Sequence, residues 1–195
     1  MIEMMAEAVG VTPKAMVIGL ICFAIAFVII FIKLKLDEKK GINSQEKEDI
    51  RKLVNNLVPD GSRYTAAYAH STESLVGKEV YHYYAVGFCP EEADHLWVIP
   101  IGVESGKIVY TESIKMSAEN LAYVGGNAHR LELHFPGTRD KVILSVDESN
   151  TKMGKECQVN IQQPEEAKAF VAFGEGFQSR VNKVLGVDKK GRQLK

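Results

Sequence analysis

The run from Ala15 to Ile32 constrains this chain more than any other feature, because none of its 18 residues carries a charge. It reads Ala-Met-Val-Ile-Gly-Leu-Ile-Cys-Phe-Ala-Ile-Ala-Phe-Val-Ile-Ile-Phe-Ile. As a helix it rises about 27 Å at 1.5 Å per residue. A bilayer hydrocarbon core is about 30 Å thick, and spanning helices of this length occur. Lys14 and Lys33 bracket the run and can snorkel to the headgroups, while Leu34 and Leu36 extend its apolar face. A cleaved signal peptide would show a basic start and a small-residue cleavage site. Here Glu3 and Glu7 outnumber Lys14, and the run ends in Lys-Leu-Lys-Leu-Asp-Glu-Lys-Lys. A buried core helix would carry a polar face. Residues 15–32 are therefore predicted to be a retained transmembrane helix that partners the lipid bilayer.

The flanks predict its direction. Lys33, Lys35, Lys39 and Lys40 follow the run, and Lys14 alone precedes it. Basic residues near helix ends stay on the cytoplasmic side. The expectation is a single-pass protein of the cell membrane, with residues 1–14 outside and the C-terminal domain in the cytoplasm. Lys14, Lys33, Lys35, Lys39 and Lys40 are the candidate lipid-interface residues, each worth on the order of 1 kcal/mol beside anionic headgroups. The plainer alternative is that they only set topology.

Beyond the basic linker, 33–44, about 150 residues remain, enough for one hydrophobic core without disulfide staples. The chain is 25% charged with a formal net charge of −1, so its bulk charge gives no reason to expect nucleic acid as a partner. Cys22 lies in the membrane run. Cys89 and Cys157 fit no CxxC or Cys/His pattern and read as free thiols of a reducing compartment.

Ser44 is a plausible cap for an amphipathic helix over 45–58. Ile50, Leu53, Val54, Leu57 and Val58 recur at helical spacing, and Pro59-Asp60-Gly61 ends it. Its polar face mixes acids and bases, which favours docking on the domain over lying on a membrane surface. Strand patterns follow. Arg63 to Ala69 is weak, and Glu79 to Phe88 is aromatic and β-branched. His95 to Val103 leads through the hairpin signal Glu104-Ser105-Gly106-Lys107 to Ile108 to Ile114. Ser117 to Val124 reads as a short helical turn capped by Ser117 and broken by Gly125-Gly126-Asn127. His129 to Phe135, Val142 to Val146 and Cys157 to Ile161 alternate apolar with polar residues, as antiparallel strands with one buried face do. The last element is a helix over 164–185, with Pro164, Glu165 and Glu166 in its first turn. Phe170, Phe173, Phe177, Val181 and Val184 form its stripe, and Gly186 is its stop. Residues 187–195 read as a polar, frayed tail.

The predicted fold class is α+β: an antiparallel β-sandwich or open barrel of about seven strands, capped by the C-terminal helix. This order, with the segment Ile-Lys-Met-Ser-Ala-Glu-Asn-Leu-Ala-Tyr-Val and the following strands at Leu131 and Val142, resembles the pleckstrin-homology-like fold of bacterial membrane proteins. The resemblance covers roughly 63–186 and implies that the C-terminal helix plugs a partly open barrel. Some members bind inositol lipids through basic residues at the first hairpin. The matching segment here, His70 to Lys78, holds one lysine and Glu73, which departs from that pattern.

Chemistry-bearing patterns are sparse. His70, His82, His95, His129 and His134 include no HxH or HxxxH pair, so no metal site is expected. His82, between tyrosines, reads as a partly buried sheet residue. There is no GxSxG elbow, and Gly102 to Gly106 lacks the lysine and helix of a phosphate cradle. Glu91, Glu92 and Asp94 read as a solvated turn. Tyr81, Tyr83, Tyr84 and Trp97 either line a ligand groove or pack in the sheet. No catalytic residue and no cofactor are assigned, and the chain is not expected to be an enzyme. The expected function is a membrane-anchored interaction module that docks an unidentified protein partner, or self-associates, at the inner leaflet. The alternative is a sensor of a small ligand or lipid headgroup at the barrel mouth.

Overall fold

Alternating apolar residues on register-matched strands build one antiparallel sheet of eight strands. The computed structural model describes residues 45–75, 78–104, 107–150 and 161–194. The predicted membrane helix 15–32, its flanks 1–14 and 33–44, the five interface lysines and Cys157 lie outside the described residues. Among the described residues, no helix is long and apolar enough to cross a membrane.

Helix α1 spans Gln45–Leu57. The strands are β1 (Thr65–Leu75), β2 (Lys78–Phe88), β3 (His95–Glu104), β4 (Lys107–Tyr110), β5 (Ile114–Ser117), β6 (Tyr123–Asn127), β7 (Arg130–His134) and β8 (Lys141–Ser145). Two short strands, β9 (Ser149–Asn150) and β10 (Ile161–Gln162), pair with each other. Helix α2, Pro164–Leu185, follows. The main sheet runs β4-β3-β2-β1-β8-β7-β6, with β5 also paired to β3. The α+β class and the C-terminal helix are as expected, with eight strands in the main sheet.

The predicted one-face alternation is seen in β7 but not in β8, where Ile143 is buried beside Leu144. In β7, Leu131 and Leu133 are buried while Arg130 is exposed and His134 half-buried. In β1 to β3 both faces are apolar. Ala67, Val86, Phe88, Leu96 and Val98 face one core with Phe170, Phe173 and Phe177 of α2. Tyr68, Ala85, Ile99 and Ile101 face a second core with Ile50 and Val54 of α1 and Val58 just after it. Helix α1 covers the outer side of these three strands, so their second face must also be apolar. Its stripe is docked on the domain, as expected. Each fully buried ring contributes about 2 kcal/mol of apolar burial, and the α2 phenylalanines also contact Phe88 edge-on or tilted. Gly61 closes the turn after α1, where a Cβ would sit 2.3 Å from the Val54 carbonyl oxygen.

Several expectations are corrected. In the segment matched to the first basic loop of pleckstrin-homology domains, His70 to Leu75 is strand, because β1 runs on to Leu75 and pairs with β2 up to Leu75↔Lys78. The single strand expected over Ile108 to Ile114 is two. Both β4 and β5 lie on the same side of β3, paired through Ile101↔Tyr110 and Val98↔Ile114. Pro100 explains the break. Its carbonyl accepts from Thr111 N–H on that side, so its missing N–H leaves a gap there in the ladder. Ser117 does cap a turn, its Oγ accepting from Glu119 N–H at 3.2 Å. The chain after that turn is strand β6, however, and Gly125-Gly126 lies within it instead of ending a helix. His82 is exposed. Val184 is 75% exposed although it shares the stripe of α2.

Three side-chain amides complete the sheet where backbone partners run out. Strands β1 and β8 meet at the single pair His70↔Ser145. Continuing that register by two residues would set Asp147 opposite Tyr68, but the Gln163 amide stands there instead. It accepts from Tyr68 N–H at 2.9 Å and donates to Tyr68 O at 2.8 Å and Asp147 O at 3.0 Å. At the far edge, Asn182 of α2 accepts from Val124 N–H at 2.7 Å and donates to Val124 O at 2.8 Å, as a neighbouring antiparallel residue would. On the outer side of β5, Asn120 accepts from Ser117 N–H at 2.9 Å and donates to Lys115 O at 2.6 Å. Gln163 and Asn182 are buried, so their backbone partners have no water to turn to.

The tail is ordered by similar means. Helix α2 ends in a Schellman pair, Val187 N–H to Asn182 O and Gly186 N–H to Lys183 O, with Gly186 at φ 67°. Val187 is buried and bridges to Gln193, and Leu194 N–H donates to Gly186 O. The Asp188 carboxylate accepts from the backbone N–H groups of Lys190 and Arg192 and from Arg192 Nε. The bonds from Arg192 above all lower its pKa from 3.8 to about 2. Residues 187–194 thus form a small hairpin where a frayed tail was expected.

Two outcomes follow from these bonds. Asn182→Leu strands the buried Val124 N–H and leaves Val124 O only the longer bond from Gln178 Nε2 at 3.3 Å. It is expected to lower unfolding free energy by about 1–3 kcal/mol, measured by denaturant titration, and a loss under about 0.5 kcal/mol would refute the role. Because the folded pKa of Asp188 is depressed, its bonds hold above about pH 4 and fade as pH falls toward 2. The Lys190 and Arg192 amide resonances are expected to move in that window, and constancy down to pH 2 would contradict the hairpin.

Candidate functional site

The first half of β3, the outer strand β5 and the C-terminal half of α2 enclose a cleft of about 270 Å3. From β5 and its turn come Lys115, Ser117, Ala118 and Glu119. Asp94 and His95 stand at the start of β3, and α2 supplies Arg180, Val181 and Val184. Helical spacing brings Arg180, Val181 and Val184 to one side of α2, and Val181 is rooted in the main core. Asn120 holds β5 in place from outside, so the cleft's β wall is fixed by the same amide that covers the strand edge.

A polar chain runs along the β3 rim. His95 Nδ1 lies 2.8 Å from Asp94 Oδ1, and its Nε2 lies 3.0 Å from the Tyr64 hydroxyl. Burial works against the Asp94 carboxylate, yet the His95 hydrogen bond and the nearby charge of Lys115 leave its pKa below the ordinary value. An ionised carboxylate only accepts, so His95 donates from Nδ1, while its Nε2 shares a hydrogen bond with the Tyr64 hydroxyl. Both ring nitrogens are thereby occupied, and the imidazole has no free lone pair for a substrate. Tyr64 also meets the His95 ring edge-on at 5.8 Å. The acidic turn lies at the surface, as read, with surface contacts only: Glu92 pairs with Arg63, and Glu91 accepts from Cys89 Sγ at 3.1 Å. Arg180 reaches the Glu91 carbonyl at 3.5 Å, a long contact that leaves its other donors toward the cleft region.

The cleft combines apolar surface with hydrogen-bond donors. Ala118, Val181 and Val184 give an apolar lining, and Lys115, Arg180 and Ser117 supply donors around it. Asp94 and Glu119 balance the two cations, so the cleft has no strong net sign. Among the described residues no group of three or more His, Cys, Asp or Glu side chains could hold a metal.

The other sequence candidates do not converge on this cleft. Tyr84 belongs to the α2-side core, whereas Tyr83 and Trp97 pack against the α1-side core, so the aromatic set is split between opposite faces. Tyr81 is exposed and bonded to Glu79. His70 pairs with Asp147 at 2.8 Å. His134 stacks on Tyr123 with ring centroids 4.0 Å apart, and burial lowers its pKa against the opposing pull of Glu132. The cleft residues Lys115, Arg180 and Val184 were not singled out as a site, because their convergence comes from β5 pairing with β3. No family model matches the chain, and no match is found among curated proteins.

Val184 and Val181 separate surface from core on one helix. Val184→Lys is expected to change stability by less than about 0.5 kcal/mol, and Val181→Ala to cost about 1–3 kcal/mol. Equal, large losses in thermal unfolding would mean that Val184 is packed and the cleft closed.

Proposed function

We propose that this chain is a single-pass, membrane-anchored interaction module with a pleckstrin-homology-like domain, and that the cleft between β5 and α2 docks a segment of a protein partner at the inner leaflet. Val184 carries the reading. It is 75% exposed at the mouth of a mostly apolar cleft, on a helix stripe that is otherwise buried. A partner's apolar side chain over Val184, Val181 and Ala118 would remove that surface from water. Lys115 and Arg180 would donate to a carbonyl or carboxylate beside it. The open antiparallel sheet and C-terminal helix support the domain reading, and the uncharged run Ala15 to Ile32 with its trailing lysines supports the anchor and its direction. A second reading is a sensor of a small ligand or lipid headgroup, to which Lys115, Ser117 and Arg180 on the cleft wall would donate hydrogen bonds.

The full chain in its native membrane tests the first reading. A photo-crosslinking amino acid at Val184 is expected to give a discrete protein adduct, one at exposed Glu175 none, and Lys115→Glu to abolish the adduct. Identical labelling at both positions would refute a docking cleft. In the same cells, external protease should leave residues 44–195 intact, and their digestion would overturn the orientation.

A further inference from the structure

The tail hairpin presents a surface that the docking cleft does not use. Lys189 and Lys190 stand exposed at its tip, and among the described residues neither forms an ion pair. The hairpin's only acid, Asp188, is engaged internally with Arg192 and two backbone N–H groups, so it does not cancel the tip charge. Leu194 lies on the same short hairpin, 59% exposed. The hairpin is also held from beneath. The Lys189 carbonyl approaches Gly125 of β6, and Gly191 lies against the Tyr123 ring, which stacks on His134.

From this we infer that the hairpin is a second membrane contact, in which Lys189 and Lys190 meet anionic lipid headgroups and Leu194 enters the boundary with the acyl chains. The combination of unpaired cations with one exposed apolar side chain matches that interface. A nucleic acid would satisfy the lysines but offer Leu194 nothing. The chain's formal net charge is −1, so the attraction is local to this hairpin and not a property of the whole protein. Ordering by Asp188 lowers the entropy lost when the lysines engage a surface. The inference rests on the membrane-anchor part of the proposed function. It adds that the domain is held in one orientation, with the β6 side toward lipid.

The test uses the full chain in liposomes, with Leu194→Trp as reporter and the parent chain supplying the Trp97 background. Quenching by a headgroup spin label is read in phosphatidylcholine alone and with phosphatidylserine added. Quenching is expected to rise with phosphatidylserine, to fall at high salt, and to be lost in Lys189→Gln/Lys190→Gln, each lysine weighing on the order of fivefold in the contact equilibrium. Both lysines are exposed, and an unchanged thermal midpoint confirms that the variant is folded. If the chain survives a carbonate wash with the liposomes but quenching ignores lipid charge, the anchor stands and the hairpin contact is refuted. Loss of the chain in the wash refutes both. Quenching abolished by soluble polyglutamate but insensitive to lipid charge assigns the surface to an acidic protein and also refutes the inference.

Discussion

The hydrogen bonds between three side-chain amides and the sheet's backbone are what the rest of this structure depends on. A carboxamide carries one acceptor and two donor hydrogens in a plane, so it can occupy the place of a peptide group in a ladder. Gln163 does so where β1 and β8 separate, Asn182 at the β6 edge and Asn120 along β5. Without Gln163 and Asn182, the buried N–H groups of Tyr68 and Val124 would lose these acceptors, and Val124 O would keep only the longer bond from Gln178 at 3.3 Å. A buried polar group left unmatched costs about 1–3 kcal/mol, more than the roughly 0.5–1.5 kcal/mol an average hydrogen bond contributes. Asn182 also covers part of the free β6 edge, which a helix answers at Val124.

From that closure the functional geometry follows. Asn182 fixes α2 against β6, and the phenylalanines fix it against the sheet interior. The helix is then held so that Arg180, Val181 and Val184 face β5 across a gap. On the other face α1 covers β1 to β3, and Lys47 ties it to the first turn of α2 through Glu166 at 2.7 Å. The two helices therefore secure opposite faces and are themselves linked at one end.

Much of the fold was legible because burial on one face leaves a period in the sequence. The stripes of α1 and α2 and the alternation at Leu131 and Leu133 located those elements closely. What was hidden depended on distant contacts. Nothing near Asn182 reveals a partner 58 residues earlier, nor does anything near Gln163 point 95 residues back to Tyr68. The break between β4 and β5 was written in Pro100, but only the side on which its missing N–H falls gives that proline its meaning. The cleft was the least legible part. Lys115 falls between the elements the sequence marks, and Val184 reads as core, until β5 is seen paired to β3.

Hydrogen exchange at two backbone amides probes the central interaction most directly. If the carboxamides act as ladder members, the N–H groups of Tyr68 and Val124 exchange only through global unfolding and rank among the slowest in the domain. Exchange at these two sites as fast as at the exposed hairpin turns, in an otherwise protected sheet, would contradict the account.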